Sequence, residues 1–266
     1  MISVTKVYRS QLPDGIILYQ GPSRIDQEPI IVIATGFNRK SKNIKTGDVV
    51  QTYILVAKEN PISTYVDGHD RSICGDCKHS SLGNGGWGTC YVNVFQAPGN
   101  IWRKWKAGKY DKPTLLNLNA FRDKIVRLGS YGDPSAVPIE VWNTIAFYAK
   151  KVIGYTHQWN KSFTEKDLQK YCMASVDNLS EFRLAKSLGW RTFRVRTSGA
   201  KLNKNEISCP ASKESGNKTI CEKCTCCSGI SSKFKKDISI IVHGRRWVAG
   251  KFARRSKSIP RKTIKN

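Results

Sequence analysis

The sequence predicts an α/β fold in which a parallel sheet forms a partial or complete (β/α) barrel and cysteine-rich loops bind metal. Three observations support this prediction. From residue 121 onwards, short apolar runs alternate with stretches of helical character, as in folds built from βαβ units. Most of the nine cysteines are bunched at C-x2-C spacings rather than spread out as disulfide partners. The residues after the apolar runs are polar or glycine-rich, and in parallel sheets those positions carry the functional site.

Seven apolar or β-branched runs are predicted to be strands, and three segments between them are predicted to be helices. The predicted strands cover residues 30–34, 49–56, 125–128, 152–156, 172–176, 192–196 and 238–242, and the predicted helices lie near 138–150, 164–170 and 179–188. The last helix has the clearest boundaries, because Asn178 and Glu181 have the spacing of a capping signal and Gly189 follows as a stop. Crossovers of this length favour parallel strands.

The length of 266 residues fits one sizeable core, and we predict a single α/β domain over residues 1–244, with cysteine-rich loops at 70–95 and 207–230. The basic segment 245–266 is a tail for which disorder is an open alternative. The first residues lack the pattern of a signal peptide, and no apolar run has the length needed to cross a bilayer. We therefore expect a soluble protein of the reducing cytoplasm, where cysteine clusters bind metal.

The formal net charge is +25, from 45 Lys and Arg against 20 Asp and Glu. Nine of the basic residues lie in the tail, so most of the excess charge belongs to the body of the chain. Nucleic acid is the expected partner, because phosphate neutralisation by Lys and Arg supplies most non-specific affinity. A lysine-rich composition without such a partner is the alternative. The residues expected to contact nucleic acid are Arg194, Arg196, Arg245, Arg246, Arg254 and Arg255.

The first cysteine cluster consists of Cys74, Cys77 and Cys90, whose first two members have the spacing that metal sites favour. His79 or Cys172 could supply a fourth ligand. Two kinds of site are compatible with this pattern. A closed zinc site would be structural, whereas an iron–sulfur cluster held by three thiolates would leave one iron open to a substrate or cofactor.

The second cysteine cluster lies between the last two predicted strands, 192–196 and 238–242. Its expected metal ligands are Cys209, Cys221, Cys224 and Cys227. Cys226 is the spare thiol, because it is adjacent to Cys227. Four thiolates complete either an iron–sulfur cluster or a zinc site, and the spacing leaves both open.

Polar and glycine-rich loops after the predicted strands supply further candidates. Gly129, Gly132 and Asp133 follow one strand, where small residues let backbone amides approach a ligand's carboxylate or phosphate. Asp133 as a helix cap is the alternative. His157 and Asp177 follow two other strands, so Asp133, His157 and Asp177 are the candidate catalytic residues, which could also form another metal site.

Several motifs together resemble a family of uncharacterised proteins encoded by phages and plasmids. The motifs are Cys90-Tyr91, residues 127–134, 154–159, 173–177 and 189–195, and Cys209-Pro210-Ala211-Ser212. The resemblance covers most of the chain from about residue 20 to 244 and implies a host-cell cytoplasmic location, but it implies no particular activity.

The layout is also similar, more distantly, to radical S-adenosylmethionine enzymes. In that family a three-cysteine loop holds a 4Fe–4S cluster at the mouth of a partial (β/α) barrel, and a turn after the second strand binds the cofactor's amino group. The resemblance implies that Cys74, Cys77 and Cys90 bind the cluster, that Gly132-Asp133-Pro134 is the cofactor turn, and that the second cysteine cluster is an auxiliary iron–sulfur site. This chain has C-x2-C-x12-C where the family has C-x3-C-x2-C, and aspartate where the family's turn has glutamate.

Two functions follow from these observations. One is a radical-type iron–sulfur enzyme of a phage, acting on nucleic acid or a nucleotide. The other is a zinc-stabilised nucleic-acid-binding protein without catalysis, serving replication or regulation. A nuclease or rolling-circle initiator ranks behind both, because the chain lacks the expected paired-histidine motif.

Overall fold

The computed structural model describes residues 12–38, 45–80, 88–243 and 246–256. Its strands are β1 (Gly15–Pro22), β2 (Pro29–Thr35), β3 (Val50–Val56), β4 (Ile125–Tyr131), β5 (Lys151–Thr156), β6 (Met173–Val176), β7 (Thr192–Arg196), β8 (Glu206–Ser208) and β9 (Asp237–Ile241). They form one nine-stranded sheet with the order β1-β2-β3-β4-β5-β6-β7-β9-β8.

The sheet is largely parallel. β1 pairs with β2 and β2 with β3 in antiparallel fashion, whereas every pair from β3 to β8 in the spatial order is parallel. Within the described part of the chain the sheet does not close, because β1 and β8 are its two edges. The predicted α/β fold with a parallel sheet is thus confirmed in its coarse form, and a complete barrel is wrong.

The connections contain short helices. These are α1 (Pro61–Asp67), α2 (Arg71–Cys74), α3 (Ala97–Lys106), α4 (Leu115–Leu118), α5 (Ile139–Tyr148), α6 (Leu179–Ser187), α7 (Cys221–Cys224) and α8 (Arg246–Arg255). α5 and α6 lie in the predicted positions, and the predicted helix at 164–170 is a 3-10 helix over Lys166–Lys170. No helix among the described residues is both long and apolar enough to span a bilayer.

Local sequence explains where these helices begin and end. The Asn178 side chain accepts a hydrogen bond from the Glu181 amide at 2.9 Å, which caps α6 as predicted, and Gly189 follows with a φ of +83°. α5 buries Ile139, Trp142 and Ile145 along one stripe. Both helices therefore pack against the sheet that they connect.

The main core lies between the sheet and its helices, and its largest fully buried side chains include Trp142, Phe121, Ile54 and Leu128. A second, small apolar cluster joins Val49, Ile125 and Ile153 to Cys227, so the second cysteine loop packs against the start of β3, β4 and β5.

A third apolar cluster joins Val195 and Val242 to Phe252 of α8. Phe252 is 3 % exposed, so the first part of the predicted basic tail is a helix that packs on the domain. Disorder is therefore wrong for the described part of the tail.

Candidate metal centre

The carboxyl ends of four neighbouring parallel strands lead into the candidate residues. β3 is followed by α1, α2 and the first cysteine cluster, and β4 by the turn Gly132-Asp133-Pro134. His157 comes directly after β5 and Asp177 directly after β6. These loops therefore meet at one edge of the sheet, as the sequence predicts for parallel strands.

The structure places the three cysteines of the first cysteine cluster in neighbouring segments, although their sulfur atoms do not all lie within 4.8 Å of one another. Cys74 is the last residue of α2, and the Cys77 amide donates to the Cys74 carbonyl at 3.3 Å. The Cys90 amide donates to the His79 carbonyl at 3.1 Å, and this bond holds the segment with Cys90 against the segment that follows Cys77. Burial raises the pKa of the Cys74 thiol well above its usual value, and the nearby negative charges of Asp70, Cys77 and Cys90 raise it further.

Of the two proposed fourth ligands, Cys172 lies elsewhere. It is fully buried in the core, and a Cβ atom added at Gly154 would lie 2.7 Å from its sulfur. His157 instead hydrogen bonds to Cys77, so a histidine ring adjoins the first cysteine cluster.

The turn after β4 is fixed to the cysteine loop. The Asp133 amide donates to the Ile73 carbonyl at 2.6 Å, next to Cys74. The Asp133 carboxylate accepts hydrogen bonds from Ser135 N at 3.0 Å, Ser135 Oγ at 2.8 Å, Thr156 Oγ1 at 2.7 Å and His157 N at 2.7 Å. Three of these donors bind Oδ1 and one binds Oδ2, so most of the acceptor capacity of the carboxylate is used within the turn. In the structure Asp133 therefore caps the turn, which is the alternative role considered for it.

Gly129 and Gly132 have left-handed backbones, with φ of +60° and +77°. A Cβ atom on Gly129 would lie 2.6 Å from the Gly132 carbonyl oxygen, and one on Gly132 would lie 2.7 Å from Cβ of Ile54. The protein itself fills the space beside both glycines. The glycines thus permit a tight turn that Asp133 caps, and the role of Gly129, Gly132 and Asp133 in binding a cofactor stays a prediction.

His79, His157 and Asp177 converge beside this turn. One ligand atom from each lies within 4.8 Å of the other two, and within the described ranges no further set of three His, Cys, Asp or Glu ligand atoms is this compact. His79 Nε2 lies 2.6 Å from Asp177 Oδ2, and His79 Nδ1 lies 2.6 Å from Thr89 Oγ1. The structure thus brings the side chains of His157 and Asp177 together. Asp133 contacts His157 differently, because its carboxylate accepts a hydrogen bond from the His157 backbone amide.

Charges of both signs surround Asp177. Lys78 Nζ lies 3.0 Å from Asp177 Oδ2 and 2.6 Å from Glu181 Oε1. Burial by itself raises the pKa of Asp177, but His79, Lys78 and His157 together lower it well below its usual value. Burial also opposes the charged form of His157, yet Cys77, Asp177 and Asp133 raise its pKa to about 10.

Helix α8 covers one side of this centre. The Phe252 ring stacks on the His79 ring with centroids 5.3 Å apart, and Arg255 Nη1 donates to the carbonyls of Lys78 and Ser80 at 3.4 Å. Sequence patterns alone missed Lys78 and Thr89 and assigned Arg255 to nucleic acid, because nothing in the chain marks contacts between separate segments.

The four thiols of the second cysteine cluster are near enough to influence one another's pKa values, although no three of their sulfur atoms all lie within 4.8 Å of one another. Cys209 N donates to Ser239 O at 2.7 Å beside β9, and Gly154 N of β5 donates to Cys227 O at 3.2 Å. Burial raises the pKa of Cys227 to about 12, with the Tyr155 hydroxyl opposing and Cys209, Cys221 and Cys224 adding to the rise. Cys226 donates to the Cys224 carbonyl at 3.4 Å and its thiol also hydrogen bonds to the Cys224 thiol, so its role as the spare thiol stays a prediction.

Arg127 lies between the two cysteine clusters. Its guanidinium is 5.7 Å from the centre of the Tyr155 ring, and it lowers the pKa of both Cys90 and Cys221, in which burial is the dominant and opposite influence. Arg127 Nε is buried and has no hydrogen-bond partner among the described residues. Nothing in the sequence around Arg127 indicated a position between the cysteine clusters, because the residue lies inside a predicted strand.

The six arginines expected to contact nucleic acid differ in how deeply they are buried and in what they contact. Arg194 is buried and pairs with Glu206 at 2.6 Å, and Arg196 donates to Ala200 O at 2.8 Å. Arg255 is 8 % exposed, so these three have internal partners and the expectation that they bind nucleic acid is corrected. Arg254 is exposed on α8. Arg245 lies outside the described residues, and α8 begins at Arg246, whose side chain is not described.

Comparison of the chain with protein-family models, curated proteins and solved structures finds no match.

Proposed function

We propose that this chain is an iron–sulfur enzyme with a layout like that of radical S-adenosylmethionine enzymes, of phage or plasmid origin, acting on nucleic acid or a nucleotide in the host cytoplasm. The observation that carries the proposal is the 2.6 Å hydrogen bond from Asp133 N to Ile73 O. It joins the three-cysteine loop after the first parallel strand to the glycine-containing turn after the second. In a partial (β/α) barrel this is where a cluster with an open iron would meet its ligand.

The first cysteine cluster fits a site with three thiolates. Cys74, Cys77 and Cys90 are close enough to influence one another's pKa values, and Cys172 is too deeply buried elsewhere to be a fourth ligand. An iron–sulfur cluster supplies electron transfer and, at an iron without a cysteine, Lewis-acid chemistry. The second cysteine cluster has four thiols and fits a closed auxiliary cluster.

S-adenosylmethionine does not fit the turn in the way that the resemblance implies. Three hydrogen bonds from Ser135 and Thr156 bind Asp133 Oδ1 and one from His157 binds Oδ2, so the carboxylate holds the turn together and only one position on Oδ2 is left for the cofactor's amino group. We therefore propose the cluster with its open iron, and we treat cleavage of S-adenosylmethionine as a separate readout.

The substrate class follows from charge. A net charge of +25 favours a polyanion, and Arg127 places a partly buried cation between the two cysteine clusters. A phosphate group would neutralise such a cation, because an arginine fork binds phosphate with two parallel hydrogen bonds. Nucleic acid or a nucleotide supplies this group.

The test is metal and acid-labile sulfide content of full-length protein purified without oxygen. We expect iron and sulfide in equal amounts, broad visible absorption, and a paramagnetic signal after reduction. The Cys77→Ser variant should lose part of the iron and sulfide, and Cys226→Ser, a matched change of the spare thiol, should lose none. Zinc without sulfide would overturn the iron–sulfur assignment. Incubation of the reduced protein with S-adenosylmethionine then reports on radical chemistry.

The net charge of +25 also favours a second candidate, a zinc-stabilised nucleic-acid-binding protein in which both cysteine clusters are structural. A groove of about 530 Å³ between β3 and α3, lined in part by Tyr53, Asn100 and Arg103, is one surface for such a partner. This candidate predicts zinc in the purified protein and salt-sensitive binding to DNA or RNA. Weak binding at low salt would contradict it.

A further inference from the structure

Ligand atoms from three separate chain segments converge beside the first cysteine cluster. His79 belongs to the cysteine loop, His157 follows β5 and Asp177 follows β6, and their ligand atoms lie within 4.8 Å of one another. Two imidazoles and one carboxylate are the ligand set of mononuclear iron(II) sites, and imidazole also suits zinc and other late transition metals. None of these three residues is needed for the iron–sulfur assignment.

Asp177 has one oxygen that the protein does not satisfy. Its Oδ2 contacts both His79 and Lys78, whereas its Oδ1 is buried and has no hydrogen-bond partner among the described residues. A buried carboxylate oxygen without a donor carries a desolvation cost that a bound cation removes. Oδ1 is therefore the atom of Asp177 that is free to bind an ion.

His79 is held in an orientation suited to a metal ligand. Its Nδ1 lies 2.6 Å from Thr89 Oγ1 and its Nε2 lies 2.6 Å from Asp177 Oδ2, so Nε2 is the ring atom that faces the site, and an ion bound there replaces the hydrogen bond between Nε2 and Asp177. Metal-binding histidines are commonly oriented by such a second hydrogen bond. The stacked ring of Phe252 excludes water from one face of His79.

The local charge also suits a cation. Lys78 brings one positive charge to Asp177, and Glu181 balances it at 2.6 Å. The carboxylates of Asp177 and Asp133 and the thiol of Cys77 surround His157, which concentrates negative charge at the point where the three ligand atoms meet.

We propose that His79, His157 and Asp177 bind one divalent transition-metal ion, separate from the metal of the two cysteine clusters. The ion lies next to the first cysteine cluster, because His157 contacts Cys77. His157 is the only partly exposed member of the three, so the ion enters from its side.

The test titrates Co²⁺ into full-length protein whose cysteine sites have first been loaded with iron and sulfide, or with zinc if that is their metal. We expect one Co²⁺ per chain, with the absorption of nitrogen and oxygen ligands and without intense thiolate-to-cobalt charge transfer. A charge-transfer band on the bound Co²⁺ would place it on cysteines and overturn the proposal. Absence of iron and sulfide would overturn the iron–sulfur assignment alone, because the Co²⁺ titration is read independently.

Variants identify the ligands. Asp177→Asn keeps the shape of the side chain and His157→Gln keeps its polarity, and each should weaken Co²⁺ binding by at least about tenfold while iron and sulfide stay unchanged. His243→Gln is the matched control, because His243 is exposed and lies outside the three ligands, and its Co²⁺ affinity should equal that of the wild type. Unchanged affinity in both ligand variants would overturn the site. Loss of iron and sulfide from a folded Asp177→Asn variant would assign Asp177 to the cysteine-bound metal and would also overturn a separate ion.

Discussion

The guanidinium of Arg127 lies 5.7 Å from the centre of the Tyr155 ring, on the neighbouring strand of the sheet. Tyr155 in turn hydrogen bonds to Cys227, and Arg127 also influences Cys90 of the first cysteine cluster. Two sites that are remote in sequence are therefore connected through one cation. Arg127 Nε is buried without a hydrogen-bond partner among the described residues, which costs the metal-free fold desolvation energy.

Replacing Arg127 with Met is expected to stabilise the metal-free protein. Apolar residues that replace buried charged groups of similar size often raise the free energy of unfolding by about 1–4 kcal/mol, and we expect the lower end here because the arginine is only partly buried. Urea denaturation of the apo-protein measures the change. The same variant should bind a phosphate-containing ligand less tightly, and a loss of stability in the variant would show that Arg127 is a structural residue.

Replacing Arg194 with Met should have the opposite effect. Arg194 pairs with Glu206 through two hydrogen bonds of 2.7 and 2.6 Å, and both side chains are buried. Removing one partner of a buried pair leaves an uncompensated charge, which costs about 3–5 kcal/mol. Denaturation of Arg194→Met, compared with the double variant Arg194→Met/Glu206→Leu, tests this. The double variant should recover much of the loss, and equal stability of the two would contradict the pairing.

Much of the fold could be predicted because its parallel strands are short β-branched runs. β7 occupies the predicted residues 192–196, and the Asn178 cap and Gly189 stop fixed the limits of α6 closely. β1 was missed because its apolar residues end at a polar, glycine-containing stretch, and β8 because it has three residues. Whether the sheet closes depends on pairing between distant strands, which no local pattern records.

The site could be predicted only in part, for a related reason. Spacing identified the thiols of both cysteine clusters as groups, because each group is local in sequence. The partners of His157 and Asp177 include residues 77–79, about 80 to 100 positions away, so the sequence could name these side chains without naming what they contact. The burial of Arg194 and Arg196 was not predicted, because a strand pattern does not show which residues cover each face of the strand. Glu206, which pairs with Arg194, is one such residue.

Alanine at Gly132 is expected to destabilise the protein and disturb the first cysteine cluster. Gly132 has a φ of +77°, and an added Cβ atom would lie 2.7 Å from Cβ of Ile54. The left-handed backbone alone costs a non-glycine residue about 1–2 kcal/mol, and the close contact adds to it. Gly199→Ala is the control, because nothing lies within 4 Å of an added Cβ there. Thermal denaturation that left both variants equal would contradict the close packing of the turn.

Removing the metal is expected to release the second cysteine loop while the central strands stay folded. Residues 209–228 contain little regular structure besides α7 and a 3-10 helix at Lys213–Ser215. By contrast, β4 and β5 are buried in the main core. Metal binding that closes such a loop supplies folding free energy, so its loss appears as local opening.

Hydrogen exchange read by mass spectrometry measures this opening. Peptides from residues 209–228 should exchange faster after chelation, and peptides from β4 and β5 should not change. A Cys209→Ser/Cys227→Ser variant is the control, because it removes two of the four thiols and should exchange fast both before and after the chelator is added. Exchange in the wild-type loop that did not respond to chelation would mean that the four thiols hold no metal, since burial and the contacts of Arg191 with the Cys226 and Gly229 carbonyls at 3.1 and 3.2 Å would then suffice to order the loop.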